Sequence, residues 1–317
     1  MIGKSTAHSV VEASAVSRAL SGTVVVLYAL ITITPLLWIF LTSFKTPSDS
    51  VAYPPKVLSE PTVEGYCNLF TFHSRQDPDY IAHLPPPTGR CDLLARSRGM
   101  VIAGASKTPG RLVNSVVIGF GSTFLSVFLG TLAAYAFSRF RVPGKDDLLF
   151  FILSTRFMPP IAVAIPIYLM YRQLGLLDTA VGMILLYTAV NVSLAVWLLK
   201  GFIDEIPREY EEAALVDGYT RMEAFFKIVL PQSATGIAAT AVFCFITAWN
   251  EYAFALMMTN RRAQTAPPYI PSQLGSGVTD WTAIAAGTVL FLLPVAIFTF
   301  VLRKHLLRGV TFGAIRK

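Results

Sequence analysis

Cys67, His73, His83 and Cys91 fall in one stretch, and their side chains can hold a metal or form a cross-link. As ligands they suit zinc, whose usual donors are thiolate and imidazole, but their spacing matches no established ligand pattern. Alternatively Cys67 and Cys91 form a disulfide in an oxidising compartment, or remain free thiols, and the histidines are incidental. A second group sits where charge is costly. Arg156, Asn191 and Glu251, with Asn250 beside the last, interrupt long apolar runs. Such residues either line and gate a polar path or tie helices together by hydrogen bonds. No nucleophile and base pair accompanies them, so an enzyme embedded in the membrane finds no support. No GxxxxGK[ST] phosphate loop occurs either, so nucleotide hydrolysis would belong to another subunit.

The elements that must position these residues follow from composition. The 317 residues are 54% hydrophobic and 14% charged, far from the balance of a soluble domain. A bilayer core about 30 Å thick needs roughly 20 apolar helical residues. That requirement is met near Gly22 to Thr42, Leu112 to Phe137, Leu148 to Tyr171, Ala180 to Leu199, Ser233 to Met258 and Thr282 to Leu302. The fold class expected is therefore all-α, a polytopic transmembrane helical bundle of six spans. The first span lacks a small-x-small cleavage site and reads as a retained helix. Pro159-Pro160 and Pro166 should break or kink the third span, which places a cavity beside it. Phe120, Phe150, Tyr168 and Phe245 read as packing or lipid-facing groups.

The net charge of +7 is spread between the apolar runs, which argues against a nucleic-acid partner and for anionic lipid and topology. Lys4, Arg18, Arg139, Arg141, Lys145, Lys200, Arg208, Arg221, Lys227, Arg303, Lys304, Arg308, Arg316 and Lys317 fall on one side, and short segments opposite hold Arg172, Arg261 and Arg262. Positive charge in short loops is retained in the cytoplasm, so both termini are expected there. The expected divisions are a cytoplasmic N-terminus (1–21), a first span (22–42), an enlarged proline-rich periplasmic loop (43–110) read as an irregular cap, a five-span core (111–303) and a cytoplasmic tail (304–317).

Within the core, segment 201–231 joins the fourth and fifth spans on the cytoplasmic side. Pro207 and the acidic residues after it make a helix start, and Gly218 a stop. A short helix is expected over 207–217, with Ile206, Tyr210, Ala214 and Asp217 on one face. The small pair Ala213 and Ala214 lets another surface approach closely. A second short helix is expected around Arg221 to Val229. Taken from the residues alone, this segment is either a solvated connector or a docking element.

Glu212-Ala213-Ala214, then Gly218, then Ile228-x-Leu230-Pro231 reproduces the EAA loop with its spacing intact, and here the chain resembles the permeases of binding-protein-dependent ABC importers. The likeness runs from about Asn114 to Lys317 and includes Leu176-Leu177-Asp178-Thr179, Trp249-Asn250-Glu251 and the ending Gly309 to Ala314. It looks most like the maltose-type carbohydrate branch, the shorter permease of the pair, with a longer outer loop and no final Lys-Gly. The resemblance implies a type I ABC importer permease fold in the bacterial inner membrane. It also implies a second permease, two ATPase subunits that bind ATP and magnesium, a periplasmic binding protein, and a sugar or polyol as cargo. Glu212, Ala213, Ala214, Asp217, Gly218, Ile228, Leu230 and Pro231 would couple to the ATPase, and Gly309, Thr311 and Gly313 would make a second contact. No cofactor is expected in this chain itself. The rival reading, a proton-coupled secondary transporter using Arg156 and Glu251 as relay groups, leaves the EAA spacing unexplained.

Overall fold

A backbone in lipid must satisfy its hydrogen bonds internally, so long apolar runs become helices. The computed structural model describes residues 15–272 and 280–312, with side chains over 16–272 and 280–303. The chain opens with α1 (Ala15–Thr42), followed by α2 (Glu64–Phe70), β1 (Thr71–Arg75), α3 (Arg90–Ser97) and β2 (Met100–Ala105). Next come α4 (Thr108–Arg139), α5 (Lys145–Ser154), α6 (Pro160–Gln173), α7 (Ala180–Asp204), α8 (Glu209–Val216) and α9 (Arg221–Ala224). The last elements are α10 (Ala234–Trp249), α11 (Ala253–Met258) and α12 (Trp281–Phe312).

Helices α1, α4, α7 and α12 are long and apolar enough to cross a membrane, and two bent pairs bring the possible spans to six. The third span is two helices, 145–157 and 160–173, bent by 94°. The cause is local. A residue before proline is driven out of the helical region, and here two stand in series: Met158 has ψ 126° and Pro159 has ψ 128°. Pro160 then opens α6, whereas Pro166 sits inside α6 without ending it. The fifth span is also divided. A 71° bend sets its helix α10 apart from the run 221–232 that leads into it, and residues 250–252 interrupt the helix before α11.

The core is built where α4, α7 and α10 meet. Gly130 of α4 lies so close to α7 that a Cβ there would sit 2.5 Å from the Ala195 Cβ. Small residues permit such backbone approach, and packing replaces the hydrophobic effect as the force between helices in lipid. Phe245 of α10 is fully buried and tilts against Phe120, Phe298 and Trp249, joining α4, α10 and α12. Trp249 also donates from Nε1 to the Phe291 carbonyl at 3.1 Å. Phe120, Phe150 and Tyr168 remain exposed on the chain's outer surface.

Segment 43–110 is a folded cap, not the irregular one expected, and it carries the one departure from an all-α chain among the described residues. Strands β1 and β2 pair antiparallel, from Thr71 opposite Ala105 to Arg75 opposite Met100. Cys67 and Cys91 are bonded, with Cα atoms 5.3 Å apart, and link α2 to α3. The cap seats on α12: Asn68 donates to Asp280 at 2.6 Å, and a Cβ on Gly65 would come within 2.6 Å of the Thr282 carbonyl oxygen. With both sulfurs in their disulfide, Cys67 and Cys91 have no thiolate to offer a zinc ion. His73 instead pairs with the Thr71 hydroxyl at 3.1 Å and His83 with the Asp79 carbonyl at 2.6 Å.

Candidate functional site

At the end of the bundle opposite the cap, α8 and α9 form a knob beside the ends of α4 and α7. Helix α8 runs from Glu209 to Val216, shorter than expected, and Gly218 follows with φ +88°, a left-handed conformation that costs glycine nothing. Its tight turn brings the Tyr219 amide back to the Ala214 carbonyl at 3.0 Å. Thr220 and Glu223 then close a capping box: the Thr220 amide donates to the Glu223 carboxylate at 2.8 Å, and the Glu223 amide to the Thr220 hydroxyl at 3.2 Å. Those bonds hold the Glu223 carboxyl below its usual range, the backbone amide contributing most. Phe225–Val229 continue as a π-helical turn, not the regular helix expected.

The inner face of the knob differs from the expected one. Ile206, Glu211 and Ala214 are buried, whereas Tyr210 and Asp217 face outward. Glu211 is held by two groups from α4. Arg139 donates to its Oε1, and the Tyr135 hydroxyl to its Oε2 at 3.0 Å. Arg139 also reaches the Ile206 carbonyl at 2.9 Å, and Arg208 reaches the Ser138 carbonyl at 2.7 Å. Ser138 donates to Asp204 at 2.5 Å. The end of α4 and the root of the knob are therefore one hydrogen-bonded unit around a polar cavity of about 230 Å³. Sequence reasoning used Arg139 and Arg208 only as topology charges and gave no role to Glu211 beyond the acidic first turn, nor any to Tyr135. The available signal was the i, i+3 spacing of Glu211 and Ala214, which puts a carboxylate on the face that must turn inward.

The outer face is open. Glu212, Ala213, Asp217 and Gly218 are exposed, and so are large apolar groups: Val216 at 87%, Met222 at 62% and Tyr210 at 54%. Ile228 and Leu230 are half-buried, and Leu230 packs against the cluster of Ala134, Leu199, Ile203 and Phe225. Pro231 is exposed. These exposed apolar groups stand in the same segment as the exposed acidic residues Glu209, Glu212 and Asp217. Gly309 and Thr311 lie in α12, but only the backbone is described there, and Gly313 falls outside the described residues.

The polar groups of the spans are placed separately. Arg156 lies in the turn at the break of the third span, which packs against α7, and one of its terminal nitrogens is buried without a partner. Asn191 donates to the Cys244 carbonyl at 3.2 Å, and no hydrogen bond joins it to Arg156. Glu251 is committed: it accepts from the Tyr187 hydroxyl at 2.8 Å and from the amides of Phe254 and Ala255 at 2.8 and 3.0 Å, capping α11. Asn250 is exposed and donates back to the Ile246 carbonyl at 2.8 Å. The Asn191 and Glu251 contacts tie helices together, α7 to α10 and α7 to the chain that opens α11.

At the cap end, Asp178 takes a left-handed φ of 54° and accepts the amides of Asn260, Arg261, Arg262 and Ala263. Partial burial works to raise this carboxyl, but the four amides outweigh it and hold it below the usual carboxylate range. From the other side Arg111 and Asn114 donate to the carbonyls of Arg261 and Arg262 at 2.5 and 2.7 Å. The loop after α11 is thereby fixed from both sides.

Residues 126–312 match the family described as binding-protein-dependent transport system inner membrane component. The chain is 32% identical to the probable ABC transporter permease protein y4oR of Sinorhizobium fredii, over 89% of this chain and 90% of that protein. It is 33% identical to the trehalose transport system permease protein SugB of Mycobacterium tuberculosis, over 93% and 95%. Its fold superposes, at TM-score 0.66 and 20% identity over 92% of this chain and 98% of the other, on a chain of a bacterial ABC transporter involved in the import of the acidic polysaccharide alginate. The fold is that of a type I ABC importer permease, and the chain belongs to the family of binding-protein-dependent transport system inner membrane components.

Proposed function

We propose that this chain is the shorter permease of an ABC importer that moves a sugar or polyol across the bacterial inner membrane. The cargo would be handed over by a soluble binding protein, and ATP would be hydrolysed by two partner subunits. The observation that carries the reading is the knob of α8 and α9, apolar on its free face and tied to α4 through Glu211. Trehalose is the named cargo of one relative and alginate of one structural neighbour, which supports a carbohydrate. The excess of arginine and lysine at the knob end, including Arg139, Arg141, Lys145, Arg208 and Arg221, supports a cytoplasmic knob and a periplasmic cap.

In this reading Glu212, Ala213, Asp217 and Gly218 present the docking surface, and Ala214, Ile228 and Leu230 support it from within. When the ATPase pair closes, the knob moves. The Arg139–Glu211 pair passes that displacement to α4, and the π turn and Pro231 pass it to α10. Asn191 and Glu251 then act as helix ties and not as cargo ligands, and Asn250 as a cap on its own helix, which leaves Arg156 as the remaining candidate for the pathway. Reconstitution with the ATPase, the second permease and the binding protein tests this, reading ATP hydrolysis against a panel of sugars and polyols. Stimulation by one sugar or polyol supports the reading; hydrolysis indifferent to every sugar but raised by an amino acid or a metal ion removes the carbohydrate assignment.

A further inference from the structure

The chain leaves α1 at Phe44 and returns to the same point, where the Thr62 amide donates to the Phe44 carbonyl at 2.7 Å. Residues 45–61 thus form a closed loop on the end of α1. Its neck is packed, with the Phe44 ring 5.3 Å from both Phe40 and Tyr66. The loop buries one of its two lysines, keeps the other, half-exposed, paired to a carboxylate, and exposes most of its apolar side chains. Lys45 is 2% exposed, lies 4.1 Å over the Trp38 ring and donates to the Lys56 carbonyl at 2.6 Å. Lys56 pairs with Asp49 at 2.6 Å. The apolar side chains point outward instead: Tyr53 is 96% exposed, Leu58 80%, Val51 62% and Val57 58%. Pro54 and Pro55 between them carry no amide proton that would need water. Glu60, the remaining charge of the loop, stands by the neck and away from the tip.

The height of the loop is set by its neighbours. Trp38 of α1 and Trp281 of α12 are both partly exposed and flank a cavity of about 420 Å³ that Ser50 and Val51 also line. Tryptophan collects at membrane–water interfaces, so this ring of contacts marks the headgroup level. No residue in the apolar stretch of α1 is buried, and its packing within the chain is against α12.

We propose that loop 45–61 is a lipid anchor whose Val51–Leu58 tip enters the headgroup and acyl boundary of the adjacent leaflet. It would set the depth of α1, as interfacial apolar segments do. This rests on α1 and α12 being membrane spans and not on the cargo or the ATPase. The test uses the assembled transporter in nanodiscs of phosphatidylethanolamine and phosphatidylglycerol. Nitroxide is attached to Tyr53→Cys, Leu58→Cys or, for comparison, Tyr80→Cys on the cap, and Val57→Cys serves if either tip variant fails to fold. Cys67 and Cys91 are bonded and Cys244 is buried, so the label goes to the new thiol. Collision with oxygen, which concentrates in lipid, is compared with collision with a water-soluble nickel chelate. The ratio of oxygen to nickel collision is expected to be several-fold higher at the tip than at position 80. Equal ratios overturn the proposal in favour of a solvated loop. Low collision with both reagents overturns it in favour of a tip covered by another subunit. Neither readout requires transport, so the loss of the importer reading would leave this result standing.

Discussion

Arg139, in the last turn of α4, and Glu211, in the first turns of α8, form an ion pair whose side chains are 6% and 10% exposed. A pair this buried is poor evidence of net stability, because desolvation offsets much of the attraction. Its geometry still makes one body of the knob and α4, and a rigid joint is what transmission of a push requires.

Removing one partner leaves the other charged and buried. Arg139→Ala is expected to cost about 3–5 kcal/mol and to lower the unfolding midpoint in detergent. Arg139→Met together with Glu211→Leu is expected to recover most of that stability while ATP hydrolysis runs without transport. The measurement is a thermal melt beside a coupled transport assay; stability and coupling that recover together would show that the pair has no transmitting role.

Gly218 has open space around its missing side chain and φ +88°, so substitutions there act through backbone strain alone. Asparagine tolerates the left-handed region and valine does not. Gly218→Asn should keep most of the cargo-stimulated ATP hydrolysis and Gly218→Val should lose it. Equal activity of the two variants would mean the turn does not hold this conformation when docked.

The contact of α4 with α7 predicts a compensating pair. Gly130→Ala drives a methyl into Ala195 and is expected to destabilise by about 1–3 kcal/mol, as overpacking does. Ala195→Gly in the same chain makes room and should restore the midpoint. Two additive losses would contradict the close approach.

Much of this was legible in the chain and some was not, for identifiable reasons. The Pro159-Pro160 break was readable because each proline constrains the residue before it, whatever the tertiary setting. The motif from Glu212 to Pro231 was readable from spacing. The choice of inner face on α8 was not, since a helix of two turns has too few apolar positions to vote. The Arg139–Glu211 pair spans 72 residues and needed the register of α4 against the knob. The β1–β2 pairing escaped because Thr-Phe-His-Ser-Arg carries no apolar alternation and its partner strand lies beyond α3. Tyr187 as the partner of Glu251 was hidden inside an apolar run, where a tyrosine reads as packing.

Asp178 predicts a pH-dependent and mutable clamp. Its depressed carboxyl stabilises the loop at and above the usual aspartate value, and that stabilisation is lost as pH falls through the lower folded value. At neutral pH the amides of Asn260 to Ala263 should exchange slowly with solvent deuterium, and Asp178→Ala should speed them while leaving α4 and α7 unchanged. Fast exchange in the wild type would contradict the clamp.

The central claim is that the α8–α9 knob docks an ATPase, and affinity purification of this subunit in mild detergent tests it most directly. The wild type is expected to bring down an ATPase and a second permease, and Gly218→Val to lose the ATPase while keeping the permease. A wild-type chain that comes down alone or as a homo-oligomer would contradict it.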